Sequence, residues 1–259
     1  MFKTQHENYR ELIWMLAKTD FKLRYQGSVL GYIWALLSPL LLFTVLNFVF
    51  SSIFARGAGI ENYALQLLVS LVMFFFFQEG TSAGMKALRA KSQLVTKIYV
   101  PRWTMILAST VNSAMIFLMN LVVIVLFFGL YKFIPSIESV LLFLFFSMMI
   151  YVIIVAFSFL AAPLFIYFRD LSMIWDVVLR VMFYATPIIY PLQMLPENLQ
   201  RIALINPIAF IIHFTKESLI NNHFAEFWQY TIFISSVFIF LGISLLVYKR
   251  LIPNIAEKI

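Results

Sequence analysis

Residues 139–168 read SVLLFLFFSMMIYVIIVAFSFLAAPLFIYF, and no charged side chain interrupts them. A helix needs roughly 20 predominantly apolar residues to cross a bilayer, and this stretch exceeds that unbroken. Five more stretches of the same kind, at 29–55, 63–85, 103–130, 171–190 and 227–248, take up most of the rest of the 259-residue chain. The pattern decides the class: an all-α integral membrane protein with six transmembrane helices. Hydrophobic residues make up 63% of the chain and charged residues 12%. That is about half the charge of a soluble domain. The mean hydropathy of +0.92 agrees. Too little polar surface is left to cover a water-exposed globule.

The loops carry the topology. With the N-terminus in the cytoplasm, the inside segments hold Lys3, Arg10, Lys18, Lys22, Arg24, Lys86, Arg89, Lys91, Lys97, Arg102, Arg169, Lys249, Arg250 and Lys258. The outside segments hold only Arg56, Lys132, Arg201 and Lys216. The positive-inside rule then puts both termini in the cytoplasm. The net charge of +7 is therefore topological. A nucleic-acid partner would want a basic face on a soluble fold, which this pattern does not offer. The first 24 residues lack the apolar core and cleavage site of a secretory signal, so the N-terminus is expected to be retained.

Residues 5–24 have the period of an amphipathic helix, with Tyr9, Leu12, Ile13 and Leu16 on one face and Glu7, Arg10, Glu11 and Lys18 on others. Such a helix lies at the interface, either as a membrane anchor or as a docking surface for a cytoplasmic partner. Residues 86–102 form a basic cytoplasmic loop with enough apolar character for a helix across the membrane surface. Anionic lipid contact and a coupling role are both open for it. Residues 184–222 contain Pro187, Pro191, Pro196 and Pro207 around two short apolar stretches. Neither is long enough to span, so both are read as re-entrant or interfacial helices on the outer side.

Some side chains stand out within the spans. Trp34 lies too deep for the aromatic belt alone, and either lines a cavity or packs. Asp176 and Arg180 fall one turn apart in the fifth span, as an internal ion pair or as functional charges. Glu79 lies near the cytoplasmic end of the second span and is expected to snorkel. The chain has no Cys, and its three His do not cluster, so no metal site is expected. No Gly-x-x-x-x-Gly-Lys-Ser/Thr loop and no hydrolase motif occurs. If the chain moves a substrate uphill, another polypeptide supplies the energy.

Asp20-Phe21-Lys22-Leu23-Arg24-Tyr25, then Leu30-Gly31-Tyr32-Ile33-Trp34 and Pro39, resembles the start of the type-2 ABC exporter permeases for polysaccharides. Lys97-Ile98-Tyr99-Val100-Pro101-Arg102, Tyr167-Phe168-Arg169-Asp170, Thr186-Pro187-Ile188-Ile189-Tyr190 and Asn206-Pro207 follow in the family's order. The O-antigen export permeases look nearest, with teichoic-acid and capsule exporters as relatives. The resemblance implies a single transmembrane domain over 1–259, with an interface helix (1–28), a coupling loop (86–102) and extracytoplasmic gate helices (192–222). It implies a homodimer in the inner membrane, joined to two cytoplasmic P-loop ATPase subunits that hold ATP and Mg. The cargo it implies is a polyprenyl-diphosphate-linked polysaccharide.

On that reading Tyr25, Tyr32, Trp34 and Trp175 are candidates to line the substrate path, because aromatic faces stack on sugar rings. Arg24, Lys86, Arg89, Lys97 and Arg102 form a basic rim suited to the lipid diphosphate. Asp176 and Arg180 are the intramembrane pair. The rivals are a small-drug permease, an integral-membrane enzyme acting on polyprenyl-linked sugars, and a passive channel.

Overall fold

The computed structural model describes residues 8–27, 30–57, 60–91 and 100–255, without the side chains of residues 25, 55–57, 254 and 255. Nine α-helices follow one another among the described residues. They are α1 (Tyr9–Tyr25), α2 (Ile33–Ser51), α3 (Tyr63–Ala90), α4 (Arg102–Leu130), α5 (Ile137–Tyr167), α6 (Leu171–Ala185), α7 (Glu197–Ile205), α8 (Pro207–Asn221) and α9 (Phe227–Leu251). A π-helical turn, Ser52–Gly57, extends α2. The loop 92–99, with Lys97 and the centre of the expected coupling element, lies outside the described residues.

Five helices, α2 with its extension, α3, α4, α5 and α9, are long and apolar enough to cross a membrane. They do not share one environment. In α3, 83% of the most apolar stretch is buried, against 11% in α2 and 17% in α9. Leu65, Leu67, Leu68, Val69, Leu71, Met73 and Phe74 are closed off on every side of α3. A helix apolar all round belongs at the centre of a bundle, and α3 is the spine here. The spine is tight because Gly80 and Gly84 face α5. A Cβ on Gly80 would lie 2.6 Å from the end of Ile154, and one on Gly84 would lie 2.6 Å from the Cβ of Ser158. Small residues four apart let membrane helices approach closely.

The expected fifth stretch, 171–190, is helical over only part of its length. Its helix is α6, which has 15 residues and ends at Ala185. At 1.5 Å per residue the helix accounts for roughly 22 Å of the hydrocarbon thickness, and the non-helical residues after it carry the rest of the stretch. The cause is local. A residue before proline is pushed out of the helical region, and Thr186 is extended (φ −86°, ψ 139°). Thr186, Ile188 and Ile189 are nonetheless buried, so their freed backbone groups need partners. Lys216 Nζ donates to the Pro187 carbonyl at 2.5 Å, and the Tyr63 hydroxyl donates to the Ile189 carbonyl at 2.9 Å. Tyr190 donates back to the Tyr184 carbonyl at 3.1 Å. Tyr63→Phe is expected to lower stability by about 1–3 kcal/mol, because it orphans a buried carbonyl. The check is the temperature at which the detergent-extracted protein stops eluting as one peak. An unchanged temperature would show that the Ile189 carbonyl does not depend on Tyr63.

The proline-rich segment forms two helices as read, and they differ from each other. α7 and α8 meet at 111°. The break is at Asn206-Pro207, where Asn206 Oδ1 accepts from the Ile208 N–H at 3.0 Å and Pro207 starts the new helix. α7 has no fully buried residue. α8 is buried from Ile208 to Lys216 and packs against α3 and α5, so the bent pair is either a broken span or a re-entrant segment. Its far end is tied to the start of α5 by Ser139, whose hydroxyl donates to the Ser218 carbonyl at 2.5 Å.

Candidate functional site: a membrane cleft and its anchor helix

α1 lies against α4. Tyr9 meets Trp103 edge-on at 5.5 Å, and Ala17 is fully buried. Two ion pairs tie the other end of α1 to α3. Lys91, nearly buried at the end of α3, bonds Asp20 at 2.5 Å. Arg24 holds Glu79 with both guanidinium arms, one of them at 3.0 Å. Glu79 therefore does not simply snorkel. Its charge is answered by an arginine 55 positions away.

That pair forms one corner of a cleft of about 470 Å³ between α2, α3 and α4. Trp34, Phe75, Phe76 and Phe117 give it aromatic walls, while Ser38, Gln78 and Asn120 give it polar positions. Phe76 and Phe117 stack at 4.2 Å. Gln78 is exposed although it lies within a spanning helix, and the buried Asn120 Oδ1 has no hydrogen-bond partner. Polar groups at this depth belong beside protein or a water-filled path. The cleft combines flat apolar faces with scattered donors and acceptors, which suits a ligand that is apolar on its faces and hydroxylated at its rim.

The expected lining residues separate. Trp34 is on the cleft and 43% exposed. Tyr32 is beside it in sequence and stacks on Phe21 at 5.2 Å. The Tyr25 side chain lies outside the described residues. Trp175 lies away from this cleft. It stacks on Phe157 at 4.0 Å, meets Phe77 edge-on, and donates its indole N–H to Thr81 at 3.2 Å. Its ring and its N–H are both engaged in joining α6 to α3 and α5, which takes it off the cleft.

The residues of the expected basic rim differ in their surroundings. Arg24 is held by Glu79. Arg102 donates to the Ile252 carbonyl at 2.5 Å and so fastens α4 to the end of α9. Arg89 lies over the Phe165 ring at 5.6 Å. Lys86 is exposed, and Lys97 lies outside the described residues. Asp176 and Arg180 do not form the expected pair, since the ion pairs among the described residues are Arg24–Glu79 and Lys91–Asp20. Arg180 extends from the exposed side of α6.

Several site residues escaped the sequence reading. Gly80-x-x-x-Gly84 was available as a spacing signal. Asp20, the one acidic residue between Glu11 and Glu61, marked an anchoring position. Gln78 and Asn120 gave no signal beyond being polar in an apolar run.

A multi-pass helical membrane protein, with a sharply bent helix pair and a mixed polar and aromatic cleft, has the form of a transport subunit. The particular family follows from comparison. The ABC-2 type transporter family model matches residues 11–220, and the chain belongs to that family. Membership implies an ABC ATPase as partner. The O-antigen export system permease protein RfbA of Klebsiella pneumoniae is 27% identical over 247 residues, 95% of this chain and 94% of the relative. RfbA of Myxococcus xanthus is 26% identical over 86% of this chain and 82% of its own length. The polysialic acid transport protein KpsM of Escherichia coli is 20% identical over 87% of this chain and 88% of its own.

Proposed function

We propose that the chain is the permease subunit of an exporter that moves a lipid-linked polysaccharide of the O-antigen type across the inner membrane. Two copies enclose the path. Two separate ATPase subunits bind ATP and Mg and supply the energy. The observation that carries this reading is the alignment with O-antigen export permeases over nearly the full length of both chains. The polysialic acid transport protein is more distant at 20% identity, which favours an O-antigen type of cargo over polysialic acid.

The cleft's chemistry supports the same cargo. Sugar rings present apolar C–H faces and hydroxyl rims, and Trp34, Phe75 and Phe117 with Gln78 and Asn120 offer matching surfaces. Weak, repeated contacts let a polymer slide. The charge asymmetry orients both termini to the cytoplasm. The ATPases then press on α1 and the 86–102 loop, and Asp20–Lys91 and Arg24–Glu79 carry that push to α3. The exposed Lys86 stands where the lipid diphosphate enters.

Affinity capture of the tagged chain in mild detergent tests this. A P-loop ATPase is expected in equal stoichiometry, with vanadate-sensitive hydrolysis, and deletion of the chain is expected to leave lipid-linked polymer inside the cell. A lone oligomer with no ATPase, or a deletion strain with normal surface polymer, would overturn the reading.

A further inference from the structure

Away from the helix ends, three charged side chains lie within α2 to α6 and α9: Glu79, Asp176 and Arg180. Glu79 is held by Arg24. Asp176 and Arg180 have neither a hydrogen bond nor an ion pair among the described residues. Charges in a bilayer are costly, and they face a bundle interior, a partner or water.

α6 shows where they face. Trp175, Leu179 and Met182 turn toward the core. The opposite side carries Met173, Val177 and Tyr184, which are 71%, 57% and 69% exposed. Asp176 and Arg180 are four positions apart, so they share a helix face. That face borders the exposed side, where Arg180 lies. No described element covers it.

The occupant that fits is a second copy of the same helix. In a two-fold contact the same patch meets itself, and residue i of one copy meets residue j of the other. When the axis runs along the membrane normal, both copies of α6 are parallel. Asp176 of one copy is then a single turn in depth from the partner's Arg180. Helical side chains lean toward the N-terminus, so the long arginine stem leans back toward the level of the aspartate. The guanidinium fork also matches a carboxylate bidentately. We infer that α6 packs against the partner's α6, with Asp176 of each copy bonding the partner's Arg180. The patch is charge-complementary to itself and leaves no charge over. This inference rests on the homodimer stated above.

The test uses two differently tagged full-length chains, expressed together with the ATPase subunit. One carries Asp176→Arg and the other Arg180→Asp. Either variant alone puts only like charges at the contact. The two together restore opposite charges across the contact but never within one helix. Val177→Cys, introduced into the otherwise cysteine-free chain, reports the contact by crosslinking in native membranes. The reference chain with this cysteine is expected to crosslink. Each charge variant alone is expected to lose about tenfold of that yield, and mixed expression should return most of it. The single-chain double exchange D176R/R180D, which keeps both charges, controls for insertion and should crosslink like the reference.

Three results would overturn the inference. One is undiminished crosslinking by each variant alone. Another is a rescue by D176R/R180D without a rescue by mixed expression, which would place the pair within one helix. In the third, the reference chain does not crosslink at Val177→Cys. If the two tags still co-purify in that case, only the α6 contact fails. If they do not, the homodimer reading fails with it.

Discussion

Gly84→Val is expected to leave almost no folded permease in the membrane. The added Cβ would fall well inside contact distance of the Ser158 hydroxyl oxygen and 2.6 Å from its Cβ. Ser158 has little room to yield. It is fully buried, and its hydroxyl donates to the Ile154 carbonyl at 2.6 Å. Overpacking a tight interior costs about 1–3 kcal/mol for a small addition and more for a branched one. In water some of that loss is offset by burying the added methyls. Lipid offers no such gain, because it is as apolar as the side chain. Gly80 should be more tolerant, since its obstacle is the side chain of Ile154 rather than a Cβ fixed to the neighbouring backbone.

The measurement is the monodisperse fraction after detergent extraction. Gly84→Ala should reduce it, Gly84→Val should nearly remove it, and Gly84→Ala combined with Ser158→Gly should recover part of it. Normal extraction of Gly84→Val would mean that α3 and α5 do not need this approach.

Arg24→Glu is expected to stop export while leaving most of the protein in the membrane. The two side chains are 41% and 32% exposed, so the pair is worth only about 1 kcal/mol or less to stability. Its larger value is mechanical, because it joins the end of α1 to the middle of α3 at the mouth of the cleft. Reversing one charge sets two carboxylates against each other there. Export should fall by at least about tenfold, equivalent to roughly 1.4 kcal/mol of coupling. The exchange R24E/E79R should recover a large part of it. Surface polymer per unit of membrane-inserted permease is the readout. If the double exchange exports no better than Arg24→Glu, the pair is not the link.

Much of the fold was legible in the chain. The stretches read at 63–85, 103–130, 139–168 and 227–248 became helices at Tyr63–Ala90, Arg102–Leu130, Ile137–Tyr167 and Phe227–Leu251. A helix in lipid satisfies its own backbone, so its existence depends on local composition alone. The early end of the helix read at 171–190 was also local. Pro187 was visible, but the apolar run through Ile188 and Ile189 outweighed it. The candidate site was less legible. Trp34 reached the cleft as one of its two readings allowed. Trp175 did not, because nothing in its own segment showed that Phe157 and Thr81 would be its neighbours.

The six apolar stretches, the basic end of the bundle and the breaks at Pro187 and Pro207 all come from residues close together along the chain. Hydropathy, charge asymmetry and proline geometry act over one or two turns, so the primary structure carries them in full. The order of the helices around the bundle is not written that way. Leucine facing lipid and leucine facing another helix have the same hydropathy, so an apolar pattern names no neighbour. The assembled bundle alone brings Arg24 to Glu79, Lys91 to Asp20 and Lys216 to the Pro187 carbonyl. It also leaves Asp176 and Arg180 on an uncovered face. Each pairing joins segments distant in the chain, and packing decides which segments meet.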